Sequence, residues 1–163
     1  MSMIEAGTND RLDALHARMA ENSLAGHWQP RQQRPELVPW LWQWSAIQAC
    51  LDEAGEVMPI GHAGEANNRR TVQLVNPGLT DQKATSRSLQ MSVQLVKPGE
   101  AAECHRHTAA ALRLIVDSTG AYTTVEGEQM VMEPGDLVLT PNWTWHDHTN
   151  DTGTDTVWLD VLD

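Results

Sequence analysis

GEAAECHRHTAAALRLIVDSTGAYTTVEGEQMVMEPGDLVLTPNWTWHDHTN, residues 99–150, holds four of the chain's seven histidines as two i,i+2 pairs. His105 pairs with His107, and His146 with His148. In an extended strand, residues two apart project from the same face, so each pair aims two imidazoles at one point. Paired imidazoles suit a divalent metal. Any single histidine is more simply a packed, partly buried one, but two pairs bracketed by turn signals favour a metal centre.

The spacing carries further information. Gly99 is followed after five residues by His105-Arg106-His107, and Gly120 closes that block. Gly135 is followed after five residues by Pro141; His146 comes five positions later and Asn150 four beyond it. This pattern resembles the two sequence motifs of the cupin superfamily. The resemblance implies a metal site of His105, His107 and His146. A typical first motif also supplies a Glu ligand shortly after its second His, where this chain has Ala111 and Leu112. The second motif usually has a Gly where Trp143 stands.

The phrases HRHTAAALR, AYTTVEGE, MEPGDLVLTPNWTWHDH and WLDVLD resemble gentisate 1,2-dioxygenase and its salicylate and hydroxynaphthoate relatives. VPWLWQWS and VNPGL upstream belong to the same pattern, so the resemblance runs from about Val38 to Asp163. It implies the N-terminal cupin half of such a dioxygenase, because those relatives usually continue into a second half. This chain ends at Asp163, just after its expected last strand.

At 163 residues the chain fits one domain with a real core. Apolar residues make up 40% of it, enough for a globular fold. A net charge of −11 with no basic block argues against a nucleic-acid or acidic-membrane partner. Two distant cysteines, Cys50 and Cys104, do not make a disulfide framework. No signal-peptide core or membrane-spanning run is found, and a cytoplasmic setting is expected.

Along the chain, residues 1–58 read as an N-terminal helical and Trp/Pro-rich extension, and residues 59–163 as the barrel with its metal site. A helix is expected from Asn9 or Asp10 as N-cap to near Gly26, with Leu12, Leu15 and Met19 recurring at helical spacing. His16 and His27 are most simply surface or packing residues. Pro30, Pro35 and Pro39 then break the chain into an extended segment. Trp40, Trp42 and Trp44 alternate, which suggests packing against the barrel or a neighbouring chain rather than a nucleic-acid platform. That series and the ending at Asp163 together predict a partner, either a second copy or a second cupin half.

A second helix is expected from Ser45 as N-cap, with Ile47, Cys50, Leu51 and Ala54 as its apolar face and Gly55 ending it. Residues 59–70 read as a loop. The remainder alternates apolar and polar residues between closely spaced turn signals, as at Pro98-Gly99, Glu126-Gly127 and Pro134-Gly135. Leu89, Met91, Val93 and Leu95 share one face. Many short strands with regular turns indicate a sandwich or barrel. The fold class is therefore mainly β, and the resemblance implies a cupin (double-stranded β-helix, jelly-roll) barrel with an N-terminal helical extension.

Three neutral imidazoles on one side of a metal leave the opposite positions open, as in non-haem Fe(II) oxygenases with a third His in place of the carboxylate. Zinc or manganese would also fit, and the resemblance selects Fe(II). Arg113 lies an even number of positions from His105 and His107, so in an unbroken strand it also faces the interior. Its planar fork suits a carboxylate, and a structural salt bridge is the equal alternative. The resemblance implies that Arg113, with Arg69 or Arg70, contacts the substrate carboxylate. It also implies a proton-handling His148 paired with Asp160. His148 could otherwise be a fourth ligand or a packed structural residue, and Asp160 a strand-end surface acid. His62 stands where some relatives have another Arg. Cys104 has the opposite parity to His105 and is expected outside the site.

The function that the resemblance implies is Fe(II)-dependent ring cleavage of a small aromatic carboxylate by O2. Gentisate is the expected substrate, opened between its carboxyl- and hydroxyl-bearing carbons to give maleylpyruvate. Salicylate and 1-hydroxy-2-naphthoate are alternative substrates. A metal-dependent isomerase, or a non-catalytic metal-holding or ligand-sensing cupin half, are the rival classes.

Overall fold

The computed structural model describes residues 3–24, 26, 28, 37–58, 60, 69–80 and 82–163. His27, His62, Pro30, Pro35 and most of the loop before Arg69 lie outside the described residues. The chain forms two compact units, Met1–Arg34 and Pro35–Asp163.

The first unit contains helix α1, Met3–Glu21. It begins six residues before the expected Asn9 cap and stops five short of Gly26. Its end is a left-handed turn: Ser23 has φ 55, and the Leu24 amide donates to the Met19 carbonyl at 2.8 Å. A residue in this conformation closes the last turn, and Ser23 does so before the glycine is reached.

In the second unit, helix α2 spans Trp44–Val57. Ser45 is not its cap: Gln43 stands there in extended geometry, without a side-chain capping bond. Gly55 does not end it either, because packing carries the helix two residues further. Leu51 is fully buried against Leu74, Val93, Leu95 and Val157, with Trp42 and Ile47 packed at the edge. Cys50, expected on the apolar face, is exposed. Trp42 also donates its indole N–H to the Val75 carbonyl at 3.3 Å, whereas Trp40 and Trp44 are exposed. The alternating Trp series thus contributes one residue to packing.

Nine strands are found among the described residues. They are β1 Thr71–Gln73, β2 Gln90–Val96, β3 Ala101–His105, β4 Ala111–Asp117, β5 Tyr122–Val125, β6 Glu128–Val131, β7 Leu137–Thr140, β8 His146–Thr149 and β9 Thr156–Leu162. They form two antiparallel sheets, ordered β1-β2-β9-β4-β7 and β3-β8-β5-β6. The expected mainly β, two-sheet jelly-roll architecture is what the chain adopts. The β5–β6 turn shows the local logic. Glu126 and Gly127 both have positive φ, 49 and 87, the geometry that a two-residue hairpin loop requires.

The sheets face each other across an interior closed at one end by Val96, Ile115, Ala121, Met132, Val138 and Trp158. Buried Asn150 ties the corner there. Its amide donates to the carbonyls of Val96 and Thr154 at 2.9 and 2.8 Å. On the outer side of the five-stranded sheet, α2 covers the β2 end, while Leu114, Leu137 and Leu139 stay exposed on β4 and β7. No described helix is long and apolar enough to cross a membrane.

Candidate metal centre

Strand register builds the centre. On β8, His146 faces His105 of β3 and Val125 of β5, while His148 faces Ala102 and Thr123. An uninterrupted ladder that pairs Ala102 with His148 would set residue 104 opposite His146. A bulge between Ala102 and His105 shifts the register, so a histidine arrives there instead. Bulges re-aim side chains in this way. Cys104 is left exposed, outside the site as expected.

The ligand atoms of His105, His107 and His146 all lie within 4.8 Å of one another. No other such group of His, Cys, Asp or Glu occurs among the described residues. Each imidazole is held through Nδ1 by a nearby backbone carbonyl: His105 by Glu103 at 2.8 Å, His107 by Ala109 at 2.7 Å and His146 by Thr144 at 2.9 Å. A carbonyl can only accept, so Nδ1 carries a proton, and in a neutral ring Nε2 then keeps its lone pair. The Nε2 atoms of His105 and His146 are buried with no partner. Burial, against the pull of those carbonyls, lowers both pKa values to about 4, and surrounding cationic groups add to the shift. Three imidazoles anchored through Nδ1, two of them held neutral by burial with Nε2 unsatisfied, fit a divalent metal.

The four-stranded sheet ends β3 at His105, and the chain crosses to the other sheet before β4 begins at Ala111. The unbroken strand assumed for Arg113 therefore does not exist, and His107 sits in the crossing loop. Arg113 is nonetheless buried, on the inner face of β4, in the register row Ser92–Asp160–Arg113–Val138. Its Nε donates to Asp160 Oδ1 at 2.9 Å, while Nη1 is buried without a partner. The salt bridge and the free donor coexist.

Asp160 is not hydrogen-bonded to His148, which corrects the expected couple. Its second oxygen accepts the Trp158 indole N–H at 2.8 Å. His148 Nδ1 meets the Thr123 hydroxyl at 2.8 Å, and its ring lies 5.1 Å from that of Trp158. Trp158 thus contacts both residues. Burial first, then the Arg113 cation, pushes His148 well below the ordinary imidazole pKa.

The two candidate arginines part company. Arg70 makes a bidentate pair with Glu100, both bonds 2.8 Å, and its Nε donates to the Met58 carbonyl. Each of its three nitrogens is thereby engaged. Arg69 is half-buried, and its charge acts on Asp160, Arg113, His105, His146 and His148. Burial lowers its own pKa, with Asp160 opposing and Arg113 adding to the shift.

Gln94 escaped the sequence reading. It is 1% exposed on the inner face of β2, and its Nε2 has no partner. Thr140 Oγ1 is in the same position on β7. The alternation on β2 was a usable signal, but its polar face lines the interior rather than the solvent.

The backbone of Trp143 is one that glycine adopts most readily. It has φ 64, in the left-handed region that costs an L-residue roughly 1–2 kcal/mol. Its amide donates to the His107 carbonyl at 2.8 Å.

Residues 92–162 match the cupin domain family. The chain is 42% identical over 160 residues to a 5-aminosalicylate 1,2-dioxygenase of Comamonas sp, covering 93% of this chain and 42% of that protein. It is 41% identical to a gentisate 1,2-dioxygenase of Ralstonia sp, covering 94% and 42%. The crystal structure of salicylate 1,2-dioxygenase from Pseudoaminobacter salicylatoxidans superposes with a TM-score of 0.76 at 36% identity, covering 94% and 43%. The chain thus spans less than half the length of these relatives.

Proposed function

From the match of residues 92–162 to the cupin domain and the chain's similarity to gentisate 1,2-dioxygenases, we propose that it is the metal-holding, N-terminal half of a ring-cleaving dioxygenase. Its substrate is gentisate or a closely related salicylate, and its metal is Fe(II), held by His105, His107 and His146. The convergence of three imidazoles within 4.8 Å, with their Nδ1 atoms tied back, is the observation that carries this reading. A metal held by these three histidines would supply a site at which a chelating substrate and dioxygen could both bind.

The chain's own residues supply the rest. The substrate carboxylate is met by Arg113 through its unpaired Nη1, and by Arg69 from the edge of the barrel. Asp160 keeps the Arg113 fork oriented and offsets part of its buried charge. His148, neutral and held by Thr123, takes the phenolic proton of the substrate. Gln94 and Thr140 offer further polar atoms to the bound ring. Overall, gentisate and one O2 give maleylpyruvate, with both oxygen atoms retained as the bond between the carboxyl- and hydroxyl-bearing carbons breaks.

The setting is cytoplasmic, and a second cupin half or a second copy completes the assembly. The uncovered Leu114, Leu137 and Leu139 face supports such a partner. Anaerobic mixing of the Fe(II) protein with gentisate, followed by oxygen, tests the function. A rise in ring-fission absorbance with stoichiometric oxygen uptake is expected, and salicylate and 1-hydroxy-2-naphthoate rank the substrate range. Tight gentisate binding with no oxygen uptake would make the chain a ligand-sensing cupin instead.

A further inference from the structure

We propose that Trp143 is a positioning residue for the metal centre, acting through Arg106 to lock the loop that carries His107. The inference rests on the three-histidine reading of the site. Arg106 stands between His105 and His107, with its guanidinium 4.4 Å from the Trp143 ring centroid and 4.7 Å from that of Trp145. Trp145 is itself anchored, because its amide donates to Glu126 Oε1 at 2.6 Å and its carbonyl accepts the Glu126 amide at 2.9 Å.

Neither burial nor backbone preference accounts for Trp143. It is 54% exposed, and its left-handed φ of 64 favours glycine. A glycine would keep the amide bond to the His107 carbonyl and remove the strain. The ring therefore contributes something a glycine cannot, and its contact with Arg106 identifies it. The stack turns the Arg106 charge outward and fixes the crossing loop from both sides. Preorganised ligands bind a metal more tightly, so loosening this support lowers affinity without removing a ligand.

The test is a Co2+ titration of the metal-free protein, followed by visible absorption. It compares wild type with Trp143→Gly, Arg106→Gln, the double variant, Arg106→Lys and His107→Ala, each checked for folding by urea midpoint. His107→Ala should lose tight binding. Trp143→Gly and Arg106→Gln should each weaken Co2+ by about three- to tenfold, the range that exposed cation–π contacts and metal-site supports allow. The double variant should be no worse than the weaker single one, and Arg106→Lys should recover part of the loss. Arg106→Gln leaves the strained backbone untouched, so it tests the Arg106 link, on which the role of Trp143 depends, even if Trp143→Gly misfolds. Wild-type affinity in Arg106→Gln, or fully additive losses in the double variant, would overturn the proposal while His107→Ala still fails to bind. Undiminished binding by His107→Ala would instead remove the three-histidine reading, and this inference with it.

Discussion

Arg113 and Asp160 face each other across the β4–β9 ladder, joined by a 2.9 Å bond from Nε to Oδ1, yet Arg113 Nη1 is buried with no partner. Removing one member of a buried ion pair strands the other charge, at a cost of about 3–5 kcal/mol. Asp160→Asn should therefore lower the urea unfolding midpoint markedly, even without substrate. An unchanged midpoint would mean that the Arg113 charge is compensated some other way.

The free Nη1 leads to a binding prediction. Charge-assisted bonds to a carboxylate are worth about 1.5–3 kcal/mol. Arg113→Met should weaken anaerobic gentisate binding roughly ten- to hundredfold, and Arg113→Lys should recover only part, having charge but no fork. Metal content is measured in each variant. Wild-type affinity in an iron-loaded Arg113→Met protein would make the residue purely structural.

Arg69 and Arg70 are neighbours with opposite fates, and methionine substitutions should separate them. Arg70→Met leaves Glu100 without its bidentate partner and should cost stability by about 1–3 kcal/mol. Arg69→Met should leave the unfolding midpoint nearly unchanged and raise the dissociation constant for gentisate. The reverse pattern would show that Arg70 serves the substrate.

The legible part of this molecule was the motif spacing. Two His-x-His pairs set between turn glycines, through their resemblance to the cupin motifs, pointed to the barrel and to His105, His107 and His146, which the structure brings together. What escaped depends on partners distant in sequence. The bulge that brings His105 opposite His146 is a property of the β3–β8 register, invisible along either strand alone. Arg113 was placed inside by a parity that presumed one continuous strand, although the chain changes sheets at His107. Gln94 was passed over because polar residues alternating with apolar ones usually face water, whereas β2 is covered by α2 on one face and by the site on the other. That Arg70 is committed to an ion pair could not be read without Glu100, thirty residues away.

The metal-free protein should lose stability as pH falls below neutrality. Burial lowers His105 and His146 from the ordinary 6.5 to about 4. Between those values the unfolded chain binds protons that the fold refuses, so stability drops through that window and levels off below about 4. Urea midpoints in chelator from pH 7 to 4.5 should fall steadily, and His146→Gln should flatten part of the slope. Identical slopes for wild type and His146→Gln would show that His146 is not held neutral.

Metal content of four single variants tests the centre itself. His105→Ala, His107→Ala, His146→Ala and His148→Ala are purified, loaded anaerobically with one equivalent of Fe(II), passed through a desalting column and assayed for bound iron. The first three should retain little iron, and His148→Ala should retain nearly as much as wild type, since its Nδ1 is committed to Thr123 and it lies outside the ligand cluster. Loss of iron from His148→Ala as complete as from the other three would contradict the three-histidine centre.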